Sequence, residues 1–290
     1  MTVQEIFTHE QRRIRLDIAY RGTNYHGWQR QDGQPTVQGE IEAALQRVVG
    51  EPVAIRGSSR TDAGVHALQQ VAAFDAPGTI PSERFAPALN ANLPRDIRIL
   101  RSTDVPPDFD PIGHCTRKRY CYLIDDGPIL SPFLADRVWD YRFGTLDAEA
   151  MHAAAQAFIG EHDFASFQSE GSPRQSTVRT IFSISVFRCK EPGVNNPYPL
   201  SLIPYSLSPI PYPLAPSPYP LLLEVEGNGF LYKMVRTMAG TLAAVGSGKR
   251  PVDWVAEVIA AKDRCAAGVT APPEGLYLAG IAFESPGACS

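Results

Sequence analysis

This chain runs through strand-period and helix-period segments in one order and then repeats that order, which limits its possible folds more than any other feature. Over residues 13–21, Ile14, Leu16, Ile18 and Tyr20 alternate with other positions, the period of a half-buried strand. Thr36 then stands where a helix N-cap belongs, Ile41, Leu45 and Val48 recur at helical spacing from Val37 onward, and Gly50 supplies the stop. Strands are predicted at 52–58, 69–75 and 96–103, with a helix at 82–92 disturbed by Pro87. The second round gives a strand at 114–125 and a helix capped by Asp147, with Met151, Ala155 and Phe158 facing inward. Strands at 177–190 and 221–227, helices at 230–245 and 252–262, and a last strand at 276–284 follow. Two halves that each mix strands and helices predict an α+β architecture around antiparallel sheet, divided into residues 1–112 and 113–290.

At 290 residues, with 44% hydrophobic and 20% charged side chains, the chain can bury a sizeable core and has the balance of a globular protein. No stretch approaches the roughly 18 consecutive apolar residues of a membrane-spanning helix. The polar start MTVQEIFTHEQRR also lacks the basic-then-apolar pattern of a secretory signal. A cytoplasmic protein with no membrane partner is the expectation. The five cysteines, Cys115, Cys121, Cys189, Cys265 and Cys289, form no Cys-x-x-Cys pair and no cluster with histidine, so reduced thiols and no metal site are expected. His26, His66 and His162 share no metal-ligand spacing and read as structural. Neither a Gly-x-Gly-x-x-Gly nor a Walker pattern occurs.

The formal net charge of -4 speaks weakly against a nucleic-acid partner. A local basic patch can coexist with an acidic remainder, and the basic residues do cluster, at Arg12, Arg13 and Arg15, at Arg95, Arg98 and Arg101, and at Arg117, Lys118 and Arg119. Any one such run, taken alone, is more often a solvated face. The composition breaks once. Residues 192–220 hold ten of the 26 prolines and no charge, with tyrosine at 198, 205, 212 and 219. The segment reads as tandem heptapeptides, YPLSLIP, YSLSPIP, YPLAPSP and YPL. Proline removes amide donors and favours three residues per turn, so a period of seven builds no continuous apolar face. An inserted loop at a hairpin tip is expected, with tyrosines stacking on RNA bases as the competing view.

The densest chemical signal is Arg56-Gly57-Ser58-Ser59-Arg60-Thr61-Asp62-Ala63-Gly64-Val65-His66-Ala67, between two predicted strands. A loop carboxylate flanked by Arg60 has a neighbouring cation that favours its ionised form, which makes Asp62 a candidate nucleophile. By itself an Arg-x-Asp loop is more often a structural salt bridge. On the strand at 114–125, Lys118, Tyr120, Tyr122 and Ile124 share one face. On the helix after Phe230, Met234, Met238 and Leu242 form an apolar stripe, while Lys233 and Arg236 form a basic one.

The string RTDAGVHA resembles the signature loop of the TruA family of tRNA pseudouridine synthases. The resemblance extends in family order through YRGTNYHGWQRQ (20–31), NANLP (90–94), KRYCY (118–122), HDFASF (162–167), NGFLYKMVR (228–236) and EGLYL (274–278). The departures are the heptapeptide insert and Ser59, where the family usually has glycine and where a positive φ would strain a serine.

The resemblance implies the pseudouridine synthase fold, two similar α/β halves whose antiparallel sheets join around a central cleft. It also implies a homodimer, tRNA as partner, no cofactor, and isomerisation of uridine at positions 38, 39 and 40 of the anticodon stem-loop. Asp62 would be the catalytic aspartate. Arg60 would pair with it and is a candidate to fill the place of the extruded base, and Arg236 would be the second cation beside it. Tyr120 would stack on the target uracil, Leu276 and Leu278 would floor its pocket, and Lys118 and Arg119 would contact the tRNA. Ordinary sheet and core packing is the alternative for Tyr120, Leu276 and Leu278, and plain surface charge the alternative for Arg236. A relative acting on another RNA position, or a non-catalytic RNA-binding module, remains in competition for the whole chain.

Overall fold

The computed structural model of the chain describes residues 12–169, 176–189 and 220–283. It divides into two units. The described residues of the first are 12–116 and 281–283, and those of the second lie within 117–280. The fold is α+β, as expected.

In the first unit, β1 (Arg12–Tyr20) pairs antiparallel with β3 (His66–Ala76) on one side and β4 (Ile97–Val105) on the other. The alternation read from the sequence is the buried face, since Ile14, Leu16 and Ile18 are fully buried. Between β1 and β3 runs α1 (Val37–Val49), which starts and stops as predicted. The Thr36 hydroxyl accepts the Gly39 N–H at 3.3 Å, and Gly50 ends the helix in the left-handed region at φ 87°. α2 (Ser82–Asn90) passes through Pro87 and is docked on β4 by the Ala86 N–H, which donates to Ser102 Oγ at 2.9 Å. Phe85 meets Phe74 edge to face at 5.2 Å.

The predicted strand at 52–58 shrinks to β2 (Arg56–Gly57), paired with β3. Pro52 has no N–H to give a ladder. The backbone of Ile55 is taken by α1 side chains instead, its N–H donating to Glu42 Oε1 at 3.2 Å and its carbonyl accepting from Gln38 Nε2 at 3.0 Å.

The second unit is built on β5 (Cys115–Asp125, from Arg117 onward), β6 (Trp139–Asp140), β7 (Gly160–Asp163), β8 (Val178–Arg188), β9 (Leu221–Gly227) and β10 (Leu276–Phe283, up to Gly280). Its sheet order is β10-β5-β9-β8-β7, with the short β6 parallel to β5. The pairs β5–β9, β8–β9 and β7–β8 are antiparallel. The helices are α3 (Ala148–Ala155), α4 (Met234–Gly246) and α5 (Trp254–Ala261). Asp147 caps α3 as predicted, and Met151, Ala155 and Phe158 are fully buried. So is the apolar stripe of α4, Met234, Met238 and Leu242.

α4 begins four residues later than predicted because Lys233 adopts a left-handed conformation at φ 59°, and the Phe230 ring packs edge to face on Tyr120 at 5.1 Å. At the end of β5, Asp126 and Arg188 form a forked pair at 2.7 and 2.9 Å, with the Asp126 side chain only 1% exposed. Burial alone would push the Asp126 carboxyl up. The Arg188 fork and the Leu146 N–H outweigh it and hold the group below the ordinary carboxylate range.

The heptapeptide insert lies outside the described residues except for Pro220, whose carbonyl accepts the Cys189 N–H at 3.0 Å. Among the described residues no helix is long and apolar enough to cross a membrane.

Candidate functional site

The loop between β2 and β3 carries Asp62, and the segment after β1 holds that loop in place. The Tyr20 hydroxyl meets Thr61 Oγ1 at 2.7 Å inside the buried interior. The Trp28 N–H donates to the Thr61 carbonyl at 3.1 Å, and the Gly64 N–H donates to the Tyr25 carbonyl at 3.2 Å. Two glycines of the first motif are required by this close approach. A Cβ on Gly22 would stand 1.9 Å from the Val65 carbonyl oxygen. One on Gly27, itself at φ 90°, would stand 2.5 Å from the Thr61 carbonyl oxygen. Tyr25 is anchored in turn by its hydroxyl, which donates to Asp96 Oδ1 at 2.6 Å. Burial first, and the Asp96 contact second, push the Tyr25 hydroxyl well above the usual phenol range, so it stays a donor.

The loop closes on itself through the Val65 N–H, which donates to the Asp62 carbonyl at 3.2 Å. His66 is 2% exposed, and its Nδ1 accepts the Gly22 N–H at 3.1 Å, a structural role. In this frame Thr61 is buried, Asp62 half-buried and Arg60 exposed. Ser59 is buried and is not among the residues of positive φ, so the serine is unstrained where the family usually has glycine. A fully buried glutamine, Gln70, bonds both the N–H and the carbonyl of Ser59, a contact that sequence reasoning did not find.

In the second unit Tyr120 is 6% exposed on β5, opposite Val225 of β9 and against the Phe230 ring. Lys118 and Arg119 are half-buried, and Arg119 Nε lies 3.6 Å from Glu224 Oε1. Its neighbour Arg117 is bound to Glu226 at 2.9 Å and lies over the Phe182 ring at 4.6 Å. Arg117 and Arg119 therefore face the carboxylates Glu226 and Glu224 of β9. Arg236, half-buried in the first turn of α4, donates from Nε to the Ala271 carbonyl at 2.7 Å, and the Ala271 N–H donates back to the Arg236 carbonyl at 3.1 Å. That exchange ties α4 to the segment leading into β10, where Leu278 is fully buried and Leu276 is 6% exposed.

Family comparison defines the class as a uridine-isomerising enzyme, an isomerase. The family model described as tRNA pseudouridine synthase matches residues 18–112 and 154–284, most of the chain. Asp62, Arg60, Arg236, Leu276 and Leu278 fall inside the matched segments, and Lys118, Arg119 and Tyr120 fall between them. A protein of Geotalea uraniireducens described as tRNA pseudouridine synthase A is 41% identical over 272 residues, covering 94% of this chain and all of that protein. Proteins with the same description from Coxiella burnetii and Limosilactobacillus fermentum are 40% and 39% identical, covering 93% and 94% of this chain and 93% and 97% of their own lengths. The chain belongs to the TruA family of tRNA pseudouridine synthases.

Proposed function

We propose that this protein converts uridine to pseudouridine at positions 38, 39 and 40 in the anticodon stem-loop of tRNA, with Asp62 as the nucleophile. The observation that supports this most is the state of the Asp62 loop. The residues on either side of Asp62 are fixed by buried hydrogen bonds and by glycine-dependent close approach, while the carboxylate-bearing residue itself stays half-buried. A nucleophile needs that combination of fixed position and access.

The reaction breaks the bond between N1 of uracil and the anomeric carbon of ribose and forms one from C5 to the same carbon. Atoms and electrons balance without a cofactor, and C5 loses the proton that N1 gains. Every route through these steps needs a carboxylate at the sugar–base junction. Arg60 and Arg236 are proposed as the cations that hold it there. The target base must leave its stack. Tyr120 is proposed to stack on the extruded uracil, Leu276 and Leu278 to floor its pocket, and Lys118 and Arg119 to contact tRNA phosphates. Stacking on an aromatic face returns roughly 1–3 kcal/mol per base. A homodimer is proposed as the working form.

Incubation with unmodified tRNA transcripts, followed by mapping of pseudouridine along the product, tests the reading. New pseudouridine at 38, 39 or 40 supports it. Product confined to other positions, or none in an otherwise folded and tRNA-binding preparation, overturns the assigned substrate site.

A further inference from the structure

β3 presents an amide side chain where its neighbours on the same face, Ala72 and Phe74, are apolar. Gln70 is fully buried. Its Nε2 donates to the Ser59 carbonyl at 2.6 Å, and its Oε1 accepts the N–H groups of Ser59 at 3.3 Å and Val71 at 3.0 Å. The carboxamide thus does for Ser59 what the facing residue of an antiparallel strand does, taking both its N–H and its carbonyl. Just before this point the ladder is made by backbone, with the Ser58 N–H donating to the Val71 carbonyl at 2.8 Å. From Ser59 onward the chain leaves the sheet to form the loop, and Gln70 holds it at that point of departure, three residues before Asp62. Thr61 is tethered separately by Tyr20 and Trp28.

We infer that Gln70 is a positioning residue for Asp62. The inference rests on Asp62 being the nucleophile. A neutral amide meets the demands of the site at any working pH. An apolar side chain removes both bonds that Gln70 makes to the Ser59 backbone, and a carboxylate accepts from the N–H but opposes the carbonyl. Being uncharged, Gln70 fixes where the loop departs without adding a net charge near the Asp62 carboxylate.

The matched control is Asn90, whose amide makes the same two-bond closure elsewhere in the first unit. Its Nδ2 donates to the Ile99 carbonyl at 2.9 Å and its Oδ1 accepts the Ile99 N–H at 2.9 Å. Gln70→Met and Asn90→Leu remove comparable bonds. Each variant is assayed for its single-turnover rate on unmodified tRNA, its tRNA Kd and its Tm, at a temperature well below both melting points.

Gln70→Met is expected to slow conversion about 10- to 100-fold, the scale set by a misplacement near 1 Å, with Kd changed less than two-fold. Asn90→Leu is expected to lower Tm without slowing conversion. Equal slowing by both variants, or a wild-type rate for Gln70→Met, overturns the inference. Should Gln70→Met not fold, Gln70→Glu decides the question. Its protonated form restores the donor to the Ser59 carbonyl, so its rate relative to wild type should fall as pH rises, and a ratio constant with pH counts against the role. Asp62→Asn runs alongside. Activity retained there removes the nucleophile itself, whereas loss there with a full rate for Gln70→Met removes only the positioning role.

Discussion

The Asp62 loop and the basic run of β5 are held by different physics. In the Asp62 loop the bonds from Gln70 to Ser59, from Tyr20 to Thr61 and from Trp28 to the Thr61 carbonyl are uncharged and largely buried. On β5, Arg117 and Arg119 stand against Glu226 and Glu224 across the strand pair, and the Arg117–Glu226 contact is open enough for salt to screen. The difference matches two tasks. Chemistry on a bond needs a fixed geometry that ionic strength does not disturb. Binding a polyanion, the task proposed for this strand, needs cations that can change partner.

The comparison breaks most sharply at Asp62. Asp62→Asn should keep tRNA affinity and lower the single-turnover rate by at least about a thousand-fold, ~4 kcal/mol in the barrier; conversion at a wild-type rate ends the catalytic reading. Next in size is the buried counterpart of the β5 ion pairs, Asp126 with Arg188. Asp126→Ala leaves Arg188 uncompensated and should cost about 3 kcal/mol of stability, read as a shift in urea midpoint, with the rate per folded molecule unchanged. The same pair gives a pH dependence. The folded carboxyl of Asp126 is held below its unfolded value, so its contribution is present above the unfolded pKa and is lost as pH falls through the folded one. Acid titration of Asp126→Asn should show a shallower stability loss than wild type below about pH 4.

Smaller again is Gly22→Ala, which forces a methyl onto the Val65 carbonyl. It should cost about 1–3 kcal/mol and lower the rate, because the disturbance lands on the loop itself. The charged side of the comparison is the weakest. Arg119→Ala should flatten the salt dependence of tRNA binding by about one unit of slope, and Glu226→Gln should tighten binding about two- to five-fold by releasing Arg117 from its pair. An unaltered slope and an unaltered affinity would mean that this strand does not meet phosphate.

The outline of the fold was legible wherever local chemistry decides. Thr36 and Gly50 mark α1 because a cap and a left-handed stop are properties of single residues, and 221–227 was read as the strand it is because apolar residues crowd it. The segment 52–55 misled because its partners, Gln38 and Glu42, lie on a helix more than ten residues away and meet it only in three dimensions. β7 escaped notice because Gly-Glu-His-Asp has no strand pattern and is made a strand by pairing with β8. The Asp62 loop could be named from its motif, but the use of the 20–31 segment as its clamp could not, since a bond between Tyr20 and Thr61 has no local signature. Gln70 was hidden for a related reason. A glutamine in an alternating strand reads as an outward position, and only the structure shows it turned inward to hold backbone.

The end of β10 bears on how the molecule is made. Ile281–Phe283 belong to the first unit, where Thr116 donates to the Ala282 carbonyl at 3.2 Å and the Phe283 ring packs against Phe109 at 5.2 Å and beneath Arg15 at 4.9 Å. A ribosome that has released residues 12–116 has therefore not yet supplied everything that unit needs. Its assembly stays open until Phe283 has emerged, so a nascent fragment ending short of that residue leaves the Phe109 side chain without its β10 partner and more open to chaperones and proteases.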